Sequence, residues 1–313
     1  MLVASAVASP GEDRVRRLEV ARASLVFLRD VVDITRGDHE MLDALIFTAA
    51  LDANMALVDR DASLHGAYGG ATASAPDALR RPVSINAVAQ SLGLPFETVR
   101  RRALKMAREG RCEIGPKGIV VPHRSTSAAA YEAEQWARFE RMRLFHQALR
   151  SLGVTPAGAS RPPPDAPLVR AVNWAVSGYA LRTCGGLIAL TGNVLTSLVL
   201  LELTLANMAS LPASSLEKWA LDPARIGRPV RIAALSEAMR LPGETVRRHL
   251  QALEASGFCA RGTSGFTAQA PGEAVPTLLG LAETNRADLR RLLDRLDQLG
   301  VLAAWTAEPA TAP

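Results

Sequence analysis

Two stretches of the chain carry the same alternation of apolar and polar positions. From Ser84, apolar residues fall at Ile85, Val88, Ala89 and Leu92, a spacing that predicts a short helix capped by the Ser84 hydroxyl. Gly93 ends it, and Leu94-Pro95 opens a second helix with Val99, Ala103, Met106 and Ala107 as its inward stripe. Glu97, Thr98, Arg100, Arg101, Leu104, Lys105 and Arg108 lie mostly off that stripe, and Gly110 closes the helix. Two strand-like runs, 111–114 and 119–121, then flank Gly115-Pro116-Lys117-Gly118 and predict a small hairpin. The second stretch predicts a helix over 232–239, a turn near Arg240, a helix over 243–256 striped by Val246, Leu250 and Leu253, and a hairpin around Gly262 to Gly265.

The correspondence is one of sequence as well as pattern. Residues 81–120 align with 228–267 without a gap, and 16 of the 40 positions are identical, among them Glu97-Thr98-Val99-Arg100-Arg101 with Glu244-Thr245-Val246-Arg247-Arg248. Gly110, Cys112, Gly115 and Gly118 match Gly257, Cys259, Gly262 and Gly265. Downstream, 145–154 aligns with 292–301 at the same offset. Upstream, Ala53-Asn54-Met55-Ala56 aligns with Ala206-Asn207-Met208-Ala209, and Arg17 and Arg29 with Arg170 and Arg182, six residues further apart. An internal duplication accounts for this. It divides the chain into a frayed N-terminus (1–13), a helical core segment (14–60), a linker (61–80), the first helix-and-hairpin module (81–124), a long helix (125–154) and a Pro-rich linker (155–166). The second half runs helical segment (167–211), linker (212–227), second module (228–270), C-terminal helices (271–307) and a disordered tail (308–313).

Leu187 to Leu205 is nearly uncharged and long enough to resemble a membrane span. Its counterpart, about 34–52, carries Asp38, Glu40, Asp43 and Asp52, as expected of an amphipathic helix, so the apolar copy is read as the central helix of a packed core and no membrane partner is expected.

Composition refines this reading. Aromatic residues make up only 4%, which leaves Leu, Ala and Val to build a helical core. The net charge of +5 is unevenly placed: +7 on 80–124, +3 on 228–270 and −5 on the remainder. The three cysteines cannot form a disulfide framework, and Cys112 and Cys259 are expected to be buried thiols. The opening MLVASAVASPGED lacks the basic region of a signal peptide, so a cytoplasmic, nucleoid-associated protein is expected. The five histidines show no ligand spacing, and no phosphate loop, nucleophile elbow or carboxylate pair appears; neither a metal, a cofactor nor an enzymatic activity is expected.

The segments LGLPFETVRRRALKMAREG and MRLPGETVRRHLQALEASG resemble the recognition-helix region of bacterial winged helix-turn-helix regulators of the MarR, IclR and GntR kind, over about 40 residues per copy. The resemblance implies a mainly α fold with small β-hairpin wings, and the duplication a pseudo-twofold arrangement, a monomer standing for the usual dimer or a homodimer of such chains. It implies double-stranded DNA as partner. The residues expected to touch DNA are Phe96, Glu97, Thr98, Arg100, Arg101, Arg102, Lys105, Arg108 and Lys117 in the first copy, and Glu244, Thr245, Arg247, Arg248, His249 and Arg261 in the second. The two sets differ at Phe96/Gly243, Arg102/His249 and Lys105/Ala252, which predicts an asymmetric or pseudo-palindromic site. A replication initiator or chromosome-maintenance factor, and a winged-helix module that binds protein, are the alternatives. A small-molecule effector in the helical core, near Trp174 and Tyr179, is a further expectation.

Overall fold

The computed structural model describes residues 10–156, 161–222 and 226–307. The protein is 70% helical with two small antiparallel sheets of two strands each. Four helices precede the first module's second helix: α1 (Pro10–Arg36), α2 (Met41–Arg60), α3 (Ala62–Tyr68) and α4 (Ile85–Ser91). Then come α5 (Phe96–Arg108), β1 (Glu113–Gly115), β2 (Gly118–Val120), α6 (His123–Thr126) and α7 (Ala129–Ser151). The second half has α8 (Val169–Thr191), α9 (Val194–Met208), α10 (Leu216–Leu221), α11 (Ile232–Met239), α12 (Gly243–Ala255), β3 (Cys259–Gly262), β4 (Gly265–Ala268), α13 (Val275–Gln298) and α14 (Val301–Ala307).

Three expectations change. Pro10 to Asp13 are helical, not frayed: Asp13 accepts hydrogen bonds from Arg16 and Arg17 one turn on, which suits a carboxylate at a helix start. Residues 1–9, 157–160 and 308–313 of the expected terminus, linker and tail lie outside the described residues. The 61–80 linker contains α3, because Asp61 caps it by accepting from the Ser63 and Leu64 amides. Its end is tied down where the Gly69 carbonyl accepts from the Arg170 and Ala171 amides. The 212–227 linker likewise contains α10.

Leu187 to Leu205 is not one helix. Gly192 ends α8 at φ +89°, a left-handed cap, and α9 restarts at Val194. Leu198, Val199, Leu201 and Leu203 of α9 are buried, as expected of a core helix. Among the described residues α2 is instead the single helix long and apolar enough to cross a membrane, with 56% of its most apolar window buried inside the protein. Of the acidic residues expected there, Asp38 and Glu40 are exposed, while Asp43 is only 2% exposed.

The chain forms two compact units, neither of which is a consecutive half. The first comprises 30–147, 155–194 and 283–313, and so joins α2 and the 81–121 module to α8, α14 and most of α13. The second comprises 1–29, 148–154 and 195–282, and joins α9 and the 228–268 module to most of α1. Each module thus keeps its own preceding helix and takes the first helix of the other half of the chain.

Candidate nucleic-acid interface

The two modules share their hairpin and bridge bonds, while the helix cap differs, Arg231 standing in the second where Ser84 caps the first. In the first, α4 is capped by Ser84, whose hydroxyl accepts from the Ala87 amide, and buries Val88, Ala89 and Leu92. Helix α5 buries Val99, Ala103 and Met106 and turns its other side outward. The hairpin pairs Ile114 with Ile119, turns through Pro116-Lys117, and gains a third short strand where Val83 exchanges backbone hydrogen bonds with Ile119. The second module repeats this with Val246, Leu250 and Leu253 inside α12, a turn through Thr263-Ser264, and Val230 bonded to Phe266. Gly118 and Gly265 recur for a steric reason: at φ +121° and +144°, a Cβ on either would overlap the carbonyl of Val83 or Val230.

One side chain per module locks hairpin to helix. Asn54 on α2 is fully buried; its Nδ2 donates to the carbonyls of Arg81 (2.6 Å) and Ile119 (3.1 Å), and its Oδ1 accepts from the Val121 amide (2.8 Å). Asn207 on α9 does the same with Arg228 (2.7 Å), Phe266 (3.2 Å) and the Ala268 amide (2.7 Å). The thiols of Cys112 and Cys259 match too. Each lies 3.5 Å from a carbonyl of the preceding helix, Ala103 or Leu250, and burial pushes them up to about 11 and about 12, as inert structural thiols require.

The turns between the paired helices differ. Gly93 sits at φ +59°, and a Cβ there would come within 2.6 Å of the Gly192 carbonyl and 2.9 Å of Ile188, because the turn abuts the end of α8. The Val194 amide donates to the Leu92 carbonyl at the same place. Arg240, at the equivalent position, adopts φ +47° with an exposed side chain, an uncommon conformation for a residue bearing a Cβ.

The structure sorts the expected DNA-contacting residues into two groups. Phe96, Glu97, Arg100, Arg101 and Arg108 are exposed on α5, Thr98 is half-buried beside them, and Lys117 is at the hairpin tip. In the second unit Glu244, Arg247 and Arg248 are exposed on α12, Thr245 is half-buried, and Arg261 is exposed on β3 with its guanidinium over the Phe266 ring. Arg100 rests on Glu97 (2.7 Å) and Arg247 on Glu244 (2.9 Å), exposed pairs one turn apart that a phosphate can displace. Arg101, Lys117 and Arg248 make no hydrogen bond or ion pair among the described residues.

Arg102, Lys105 and His249 do not belong to this face. Arg102 donates to Asp43 (2.6 Å) and Glu40 (3.0 Å), and Lys105 to the same two carboxylates (2.9 and 2.6 Å), all at the start of α2. Lys105 and Arg102 together hold the Glu40 carboxyl down at about 2. His249 is 7% exposed, and its Nδ1 lies 2.9 Å from the Thr196 hydroxyl on α9. Asp43 and Arg102 align with Thr196 and His249. What reads as a difference between two recognition helices is one helix-to-core contact made by an ion pair in one unit and a neutral pair in the other.

His249 also sets a pH dependence. Burial, with Arg248 adding to it, lowers its pKa from 6.5, and its Nε2 has no hydrogen-bond partner. The folded unit therefore holds the ring neutral while the unfolded chain protonates it. Stability is fully present above about 6.5 and falls as pH drops below that value. In thermal melts from pH ~7.5 to ~5, the acid-side loss is expected to shrink in His249→Asn, which cannot take up the proton; an equal loss in both proteins would mean that the ring is not held neutral.

Polar side chains outside the predicted set line a narrow cleft in the first unit, Asp52, Glu134, Gln135, Arg138 and Asn173 among them. Trp174 lines it as well, whereas Tyr179 is fully buried elsewhere and donates to Asn285 (2.8 Å). Comparison of the chain with protein-family models, with characterised proteins and with solved structures gives no match.

Proposed function

We propose that the chain is a sequence-specific double-stranded-DNA-binding transcriptional regulator, in which two winged helix-turn-helix modules descended from one duplication read two unlike half-sites. The observation that carries the reading is α5. Its buried stripe fixes the helix on the core, and the opposite side presents Arg100, Arg101 and Arg108, with Lys117 at the tip of the adjoining hairpin. Arg247, Arg248 and Arg261 repeat the theme in the second unit. Donors of this kind meet phosphates, and side chains at the start of such a helix reach base edges. The exchange of α1 and α8 between units supports a pseudo-twofold assembly, one chain standing for a dimer. With Arg102, Lys105 and His249 turned to the core, the half-site difference falls on positions that are exposed in the first module: Phe96 against the half-buried Gly243, Leu104 against Gln251, and Arg108 against Ala255.

A second reading, a module that docks on protein, is favoured by one observation: Phe96 and Leu104 are 47% and 40% exposed on the same face. Selection of bound fragments from random duplex DNA separates the two. An enriched asymmetric site with half-sites about one helical turn apart is expected. Enrichment of perfect palindromes alone would contradict two unlike modules in a single chain, and no enrichment at all would favour the protein-docking reading.

A further inference from the structure

Phe96 opens α5 and is 47% exposed. A lone apolar side chain is ordinary on a protein surface, but this one stands at the end of the helix from which base edges are reached. The backbone beneath it is fixed. The Leu94 amide donates to the Ala89 carbonyl (2.9 Å), the Val194 amide to the Leu92 carbonyl (3.1 Å), and the Pro95 carbonyl accepts from the Thr98 and Val99 amides as α5 begins. The ring has two side-chain torsions, so little freedom is lost when it is covered. Its neighbours are charged: Glu97 beside it and Arg100 one turn on are both exposed. A single ring among charges, in a module of net charge +7 over 80–124, suits a polyanion better than an apolar protein surface.

In the major groove the base pairs differ in hydrogen-bond donors and acceptors, and the one apolar feature among them is the C5-methyl group of thymine. A phenyl ring at a base-reading position has no other apolar partner there. The second module shows that the fold does not demand the ring. Gly243 stands at the equivalent position, and a Cβ built on it would meet Ile232 and Ser236 only at 3.9 Å, an ordinary contact. There is room for a side chain, so the glycine is a difference of surface and not of packing. The Glu-Thr-Val-Arg-Arg that follows is identical in the two modules. Resting on the DNA-binding reading above, we infer that Phe96 packs on a thymine methyl in the major groove. Two half-sites read alike by the shared residues then differ by a thymine that only the first requires.

The test uses the full chain and the best duplex selected from random DNA, remade with uracil in place of each thymine in turn. That change removes one methyl and keeps the base pairing. The parent protein is expected to lose about three- to fivefold in affinity at one thymine of one half-site, the value of one buried methyl. In Phe96→Ala that position should become indifferent to uracil, while sensitivity elsewhere is unchanged and the variant still melts cooperatively. Gly243→Phe should come to prefer thymine over uracil, by a similar factor, when thymine is placed at the matching position of the other half-site. A selected site without a uracil-sensitive thymine, sensitivity retained in Phe96→Ala, or a Gly243→Phe protein indifferent to the methyl would overturn the assignment and leave the regulator reading in place. Failure of the parent to select any duplex would overturn both.

Discussion

Asn54→Ala is expected to destabilise the first unit by about 3–4 kcal/mol, and Asn207→Ala the second by a similar amount. The cost comes from unmet bonds. Removing the Asn54 amide strands the Val121 amide in the interior, leaves the Ile119 carbonyl with the Val83 amide alone and frees the Arg81 carbonyl; a buried group left without a partner costs about 1–3 kcal/mol, and each further lost bond about 1 kcal/mol. Asn54→Asp is expected to be no better. It retains an acceptor for Val121 but sets a second oxygen, and a charge, against two carbonyls. Hydrogen exchange gives a residue-level check: the Val121 amide in Asn54→Ala, and the Ala268 amide in Asn207→Ala, should lose protection well before the stripes of α5 and α12. If both variants melt within about 1 kcal/mol of the parent, the asparagines are not the ties that hold hairpin to helix.

The second large effect is on binding. Replacing Arg100 and Arg101 together by alanine is expected to weaken DNA binding by about two orders of magnitude at moderate salt. The slope of log affinity against log salt should flatten by about 1.8, close to 0.9 for each phosphate no longer neutralised. Both side chains are exposed, and Arg100 gives up only a surface pair with Glu97, so the fold should be unaffected. Arg102→Ala is the informative contrast. It removes one of the two cations paired with the buried Asp43, Lys105 remaining, and should lower stability by about 1–2 kcal/mol, changing DNA affinity only through that destabilisation. A salt slope unchanged by the double substitution would mean that this face of α5 does not meet phosphates.

Adjacent residues of one helix thus have opposite uses, and the sequence shows only part of this. The stripe of Val99, Ala103 and Met106 is legible because helical spacing alone puts those positions on one side. Arg102 and Lys105 lie at the stripe's edge, where a long side chain can point to solvent or lean across to a neighbouring helix. Which it does depends on Glu40 and Asp43, some sixty residues away. A trace of the answer is nevertheless present, since the two halves differ together at 43/196 and at 102/249, as touching positions do. The repeat of Ala-Asn-Met-Ala is visible without its meaning, because an asparagine's bonds to distant carbonyls leave no periodicity. Helix α3 is hidden by an Ala/Gly/Ser-rich stretch whose composition reads as linker, and the polar groups of the cleft come from three helices far apart in the chain.

The exchange of α1 and α8 has a consequence for the order in which the chain can fold. The first unit contains 81–121 but is completed only by 155–194 and 283–307, which are made well after it. The second needs 10–29, made well before it, together with 195–282. Neither unit can close while only half of the chain exists, and both depend on pairings of long sequence separation, which slow folding even when the helices form quickly. During synthesis the 81–121 module would stand on α2 alone, held by Asn54 and by the Asp43 ion pairs, until α8 arrives to cover the Gly93 turn. The asparagine and the carboxylate would then matter twice: in the finished unit, and earlier, when they are the first long-range ties the growing chain can make.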